Sequence, residues 1–180
     1  GRPNLFLALH IEEEAGTPLH ARISGLVDGV EQTLGSISPD RIARVNGGGD
    51  REQSRHATLL VLRKRAVKDR IMIGAASDYS ALGAMDAVTE LGLSGKSVIA
   101  GHDGDREAIR SIADTKSPFV STVAFFPERY GPALVSLALR LLKGENAPPF
   151  NYVDYELLDK ETVAKDRGRW LPEQHEKNEP

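Results

Sequence analysis

The chain alternates between short apolar runs and longer stretches with helical spacing. Asn4–Ile11 (NLFLALHI) is almost continuously apolar, as expected of a strand covered on both faces. His20–Leu34 then repeats Ile23, Leu26, Val27, Val30 and Leu34 at helical spacing, and Gly35 ends it. Ile42–Val45 predicts a short strand opening into three glycines, followed by a helix over Arg51–Arg65. Ile71–Ala75 predicts a strand, with Asp78 as the N-cap of a helix over Tyr79–Leu91 that Gly92 closes. Strands are predicted at Ser97–Ala100 and Phe119–Phe125, and helices at Asp105–Ala113 and Glu128–Leu142. In Phe150–Leu157, Tyr152, Asp154 and Glu156 alternate with Val153, Tyr155 and Leu157, which predicts an edge strand. Helices intervene regularly between strands. The fold class expected is therefore α/β, a doubly wound, mainly parallel sheet flanked by helices.

The organisation expected is one lobe over residues 1–160 and a highly charged, partly disordered tail over 161–180. No internal repeat or earlier linker is visible. At 180 residues the chain is large enough to bury a real core, and 40% hydrophobic with 27% charged residues is ordinary globular composition. A net charge of −3 provides no broad basic field, so no nucleic-acid contact is expected. The basic run Arg63–Arg70 reads as a solvated helix end. No apolar run approaches the ~20 residues that span a bilayer.

Two strands end abruptly on aspartates, in IGAASD and VIAGHD, which places Asp78 and Asp103 at the carboxyl ends of neighbouring strands. In an open α/β sheet that rim is where ligands bind. Neither aspartate has a catalytic partner at a recognisable spacing, so the pair suits holding a hydroxylated molecule better than reacting with it. Asp78 has a competing role as a cap, whereas Asp105 can cap the helix after Asp103. Arg22 competes between ligand contact and pairing with Glu12–Glu14, and Arg51 between ligand contact and an ordinary exposed helix start.

Other chemistry is absent. SGKS at Ser94–Ser97 lacks the first glycine of a phosphate loop, since position 90 is Glu, and it leads into a strand. The five histidines have no metal-ligand spacing, and no G-x-S-x-G elbow is present. No metal or cofactor is expected.

The ordered pieces ARISGLVDGV, SDYSALGAMDAVTELG, VIAGHDG, STVAFFPERYG and ALRLLKGENAP resemble the carboxyl-terminal lobe of type I periplasmic binding proteins. These are the sugar-binding components of ABC importers, and the effector domains of lac-repressor-type regulators share their fold. The resemblance covers roughly Asn4 to Val163. It implies a two-lobed clamp of which this chain is one half, a sugar or other polar small molecule as ligand, and a permease as partner of the full-length protein. It further implies a periplasmic location, or a cytoplasmic one for a regulator. Asp103 matches a carboxylate that accepts from sugar hydroxyls, and Arg22 and Arg51 match guanidinium positions. Ser77 stands where Asn is common, His102 where an aromatic ring is common, and Phe125 at the cleft edge where some members carry Gln. Gly49 lies near a position that some sugar binders fill with an aromatic ring. The ligand-binding set expected is Arg22, Arg51, Ser77, Asp78, His102, Asp103 and Phe125.

Two further expectations follow. An α/β enzyme using Asp78 and Asp103 as an acid/base or metal pair is the rival from another class. The helix Glu128–Leu142 is apolar nearly all round, so without an amino-terminal lobe it is expected to self-associate, giving a homo-oligomer built on Phe125–Leu142.

Overall fold

The computed structural model describes residues 5–11, 17–64, 69–148 and 151–171. Six strands form one sheet in the order β2-β1-β3-β4-β5-β6. They are β1 (Leu5–Ile11), β2 (Ile42–Asn46), β3 (Arg70–Ala75), β4 (Ser97–Asp103), β5 (Phe119–Phe125) and β6 (Tyr155–Asp159). The first five are parallel, and β6 adds antiparallel to β5. The helices are α1 (Thr17–Leu34), α2 (Arg51–Lys64), α3 (Asp78–Glu90), α4 (Arg106–Ala113), α5 (Tyr130–Leu142), α6 (Lys160–Lys165) and α7 (Arg167–Trp170).

The pleat of β1 explains why its run is apolar but for His10, because successive side chains enter different cores. Phe6 and Ala8 join the larger cluster, with Leu62 of α2, Leu82 of α3 and Ile112 of α4. Leu7 and Leu9 join the smaller one, under Ile23, Leu26 and Val27 of α1. The helical spacing read from α1 is thus the stripe that covers this second face.

His10 falls on the α2 side of the same alternation and is fully buried. Its Nδ1 lies 2.7 Å from Ser54 Oγ and its Nε2 3.0 Å from Thr58 Oγ1. Burial pushes its pKa down to about 4. Both hydroxyls donate their protons to backbone carbonyls, Ser54 Oγ to that of Ser80 at 2.6 Å and Thr58 Oγ1 to that of Ser54 at 2.7 Å. Each therefore faces the ring as an acceptor, and the single N–H of a neutral ring serves one of them.

One expectation changes at the carboxyl end of the chain. The edge strand runs over Tyr155–Asp159, and its inward residue is the fully buried Leu158. Tyr155 and Leu157, which the alternation set together, lie on the opposite face and are exposed. After β6 the chain enters α6 directly. Asp159 caps α6 by accepting from Thr162 N at 2.8 Å, and Val163 is buried. Lys160 Nζ donates to the carbonyls of Asp114, Thr115 and Ser117, just past the carboxyl end of α4, where a cation complements the helix dipole. Residues 172–180 lie outside the described residues.

Helix α5 buries none of its residues. Leu134, Val135, Leu139, Leu141 and Leu142 are all exposed. Among the described residues, no helix is long and apolar enough to cross a membrane.

Candidate functional site

The carboxyl ends of β3, β4 and β5 deliver Ser77, Asp103 and Phe125 to one rim, and the amino-terminal half of α1 brings Arg22 over it. Arg22 Nη1 donates to Asp103 Oδ1 at 2.8 Å and to the carbonyl of Ala76 at 2.7 Å. The Arg22 guanidinium carbon stands 5.0 Å from the centre of the Phe125 ring, within cation–π range. The side chains of Arg22 and Asp103 keep 25% and 36% of their surface exposed. Among the described residues, no acceptor takes the Nε or Nη2 hydrogens of Arg22, and no donor takes Asp103 Oδ2. The site therefore presents three N–H donors beside one carboxylate oxygen, with an aromatic ring beneath them.

His102 precedes Asp103 on β4. Its Nδ1 lies 3.2 Å from the carbonyl of Ala75, which only accepts, so Nδ1 carries the proton. The neutral ring thus keeps a lone pair on Nε2. Burial, with help from the nearby Arg22 charge, holds the His102 pKa below its usual value, although the Ala75 carbonyl and Asp103 pull the other way.

The structure separates Asp78 from Asp103. Asp78 is 0% exposed, so it has no surface to offer a ligand. It is also not the cap of α3. That role belongs to Ser77, which accepts from Ser80 N at 3.4 Å. The Asp78 carboxylate turns inward, accepting from Gly104 N at 2.9 Å, Asp105 N at 2.8 Å and Thr122 Oγ1 at 2.8 Å. Burial pushes its pKa up to about 7 against these donors, and the charges of Asp103 and Asp105 add to the rise. The acid/base or metal pair imagined for Asp78 and Asp103 has no common opening. Among the described residues, no group of three acidic or histidine side chains could hold a metal.

Arg51 is likewise not brought to the rim cluster. Its Nε and Nη2 clamp Asp86 of α3 at 2.6 and 3.0 Å, and its Nη1 donates to Glu107 of α4 at 2.6 Å. These bonds raise its pKa further and tie three helices together. Asp105 stands at the start of α4 but makes no side-chain capping bond there. Glu12–Glu14, the alternative partners for Arg22, lie outside the described residues.

Sequence reasoning missed the carbonyls of Ala75 and Ala76, which orient His102 and Arg22. Backbone acceptors leave no mark in side-chain identity. It also missed Thr122, since a threonine in a strand is unremarkable by composition.

A periplasmic binding protein domain matches residues 8–146. The chain belongs to the periplasmic binding protein family. No curated protein sequence matches it.

Among solved structures, an ABC transporter solute-binding protein from Agrobacterium vitis with bound allitol is 25% identical, with a TM-score of 0.78. That match covers 94% of this chain and 58% of the other. A periplasmic solute-binding protein from Actinobacillus succinogenes 130z with bound D-allose is 24% identical, with a TM-score of 0.72, covering 92% and 56%. One from Bacillus halodurans C-125 with bound myo-inositol is 18% identical, with a TM-score of 0.72, covering 93% and 55%. The chain thus spans a little over half the length of each. The family and these neighbours are binding proteins rather than enzymes.

Proposed function

We propose that this chain is the carboxyl-terminal lobe of a solute-binding protein of a sugar-type ABC importer. It holds a sugar or other polyol in a cleft closed by an amino-terminal lobe. The observation that carries this reading is the half-satisfied Arg22–Asp103 pair. Each hydroxyl of a polyol is one donor and two acceptors. One hydroxyl donates to Asp103 Oδ2 and accepts from Arg22 Nη2, and a neighbouring hydroxyl accepts from Nε. The pair neutralises itself, which favours an uncharged ligand over a carboxylate or phosphate. Phe125 and His102 supply the flat and lone-pair-bearing walls that a ring with both C–H and O–H surfaces needs.

A single lobe leaves the other side of the ligand in water. Closure of two lobes excludes that water and strengthens each bond. The role is non-enzymatic, the location periplasmic, and the permease of the importer the partner of the two-lobed protein. The exposed apolar side of α5 packs on the amino-terminal lobe in that protein. In this chain alone the same surface is covered by a second copy, making an oligomer through Phe125–Leu142.

Calorimetry on the two-lobed protein with allitol, D-allose and myo-inositol as probes tests the reading. Micromolar binding of one or more is expected. Failure of all three, with a phosphorylated or carboxylated sugar binding instead, overturns the neutral-polyol assignment.

A further inference from the structure

The turn between β4 and α4 has an unusual backbone. Asp103 has φ 119° and Gly104 has φ 79°. Asp103 is the one non-glycine residue at positive φ among the described residues. L-residues rarely adopt that region, and they stay there only when the surroundings over-determine it.

Asp78 supplies the constraint from beneath. Its Oδ2 accepts from the two amides that follow Asp103, those of Gly104 and Asp105. Its Oδ1 is held by Thr122 of β5, whose hydroxyl also receives Gly104 N at 3.3 Å. The sheet leaves room for this carboxylate only because residue 101 is glycine, since a Cβ there would lie 2.2 Å from Asp78 Oδ1. A Cβ at residue 104 would lie 2.5 Å from Ala124 Cβ, so the turn also presses close on β5. Capping does not require this buried carboxylate, because Ser77 already caps α3. Its burial is unfavourable enough to raise its pKa to about 7. A group kept at such cost, with a glycine cleared for it and both its oxygens spent on one turn, is there for the turn.

We propose that Asp78 is a positioning residue, clamping the β4–α4 turn so that the Asp103 carboxylate is aimed at Arg22 and the cleft. Its value for ligand binding rests on the solute-binding reading, whereas the clamp itself does not.

The test reads the Arg22–Asp103 pair in the absence of ligand. In ¹⁵N spectra of the full chain, Arg22 pinned at Nη1 gives slowed guanidinium rotation and separate Nη signals. Asp103→Ala, which removes the carboxylate that accepts from Arg22 Nη1, provides the spectrum of the broken pair. Asp78→Ala, with core signals of Ile99 and Phe119 in place, is expected to move the Gly104 and Asp105 amide protons upfield and collapse the Arg22 signals toward that reference. Unchanged Arg22 signals in folded Asp78→Ala overturn the proposal. Should Asp78→Ala not fold, Thr122→Val decides. Partial collapse of the Arg22 signals upholds the clamp, and an unchanged Arg22 spectrum rejects it. A protein that keeps the pair but binds no polyol would refute the solute reading and leave this one standing.

Discussion

Arg22 and Asp103 meet at 2.8 Å although 81 residues separate them in the chain. The contact ties α1 to the end of β4 across the rim. Both side chains remain partly open to water, so the pair gives little stability, about 1 kcal/mol or less. A double-mutant cycle of Arg22→Ala and Asp103→Ala, read by urea unfolding, is expected to return a coupling of that size. Coupling above ~3 kcal/mol would mark a structural ion pair and weaken its assignment to ligand.

The two buried titratable groups make opposite demands on pH. Between its usual 3.8 and about 7, native Asp78 holds a proton that the unfolded chain has lost, so stability falls as pH rises. Between about 4 and 6.5, unfolded His10 holds a proton that the native ring lacks, so stability rises with pH. At 1.36 kcal/mol per unit the effects are on the order of 4 kcal/mol for Asp78 and 3 kcal/mol for His10, and they largely offset one another. Asp78→Asn should therefore show stability climbing from pH 4.5 to 6.5, and His10→Gln should show it falling. Urea midpoints at the two pH values check this. Equal slopes in both variants would contradict it.

Helix α5 exposes Val135 and Leu139 at 60% and 53%. Light scattering of the 180-residue chain at high micromolar concentration is expected to give a dimer or larger species. Val135→Glu with Leu139→Glu should shift it to monomer, or to aggregation if the helix is exchanged between copies. Restoring the amino-terminal lobe should also abolish association. A clean monomer of the unaltered chain would remove the self-association claim.

The lone lobe is expected to bind monosaccharides no more tightly than millimolar, because it supplies half the contacts and cannot close over them. Submillimolar binding of D-allose by the 180-residue chain would contradict the clamp.

Most of the fold was legible because strand and helix periods differ and this chain keeps them distinct. The nearly continuous apolar run of β1 told that both its faces were covered, and Gly35 marked the end of α1 with φ 77°. At β6, where apolar residues sit on both faces, alternation picked Tyr155 and Leu157 while tertiary packing buried Leu158. The site was legible in part. Asp103 and Arg22 stood out as charges at a strand end and a helix start, and the fold joins them. Asp78 and Asp103 each end a short apolar run in the sequence, and only the cap role expected of Asp78 set them apart. Only the approach of Gly101 and the amides of Gly104 and Asp105 turns one inward and leaves the other at the rim. Arg51 looked like Arg22 for the same reason, and the carboxylates of Asp86 and Glu107, 35 and 56 residues away, claim it.

The central claim is that the Asp103 carboxylate holds a polyol hydroxyl in the cleft. Titration calorimetry of the two-lobed protein with its best-binding polyol, comparing the unaltered sequence with Asp103→Ala, tests it most directly. Loss of a charge-assisted bond that strands the ligand hydroxyl and Arg22 should weaken binding by ~2–4 kcal/mol. An Asp103→Ala protein that binds the polyol with unchanged affinity would contradict the account.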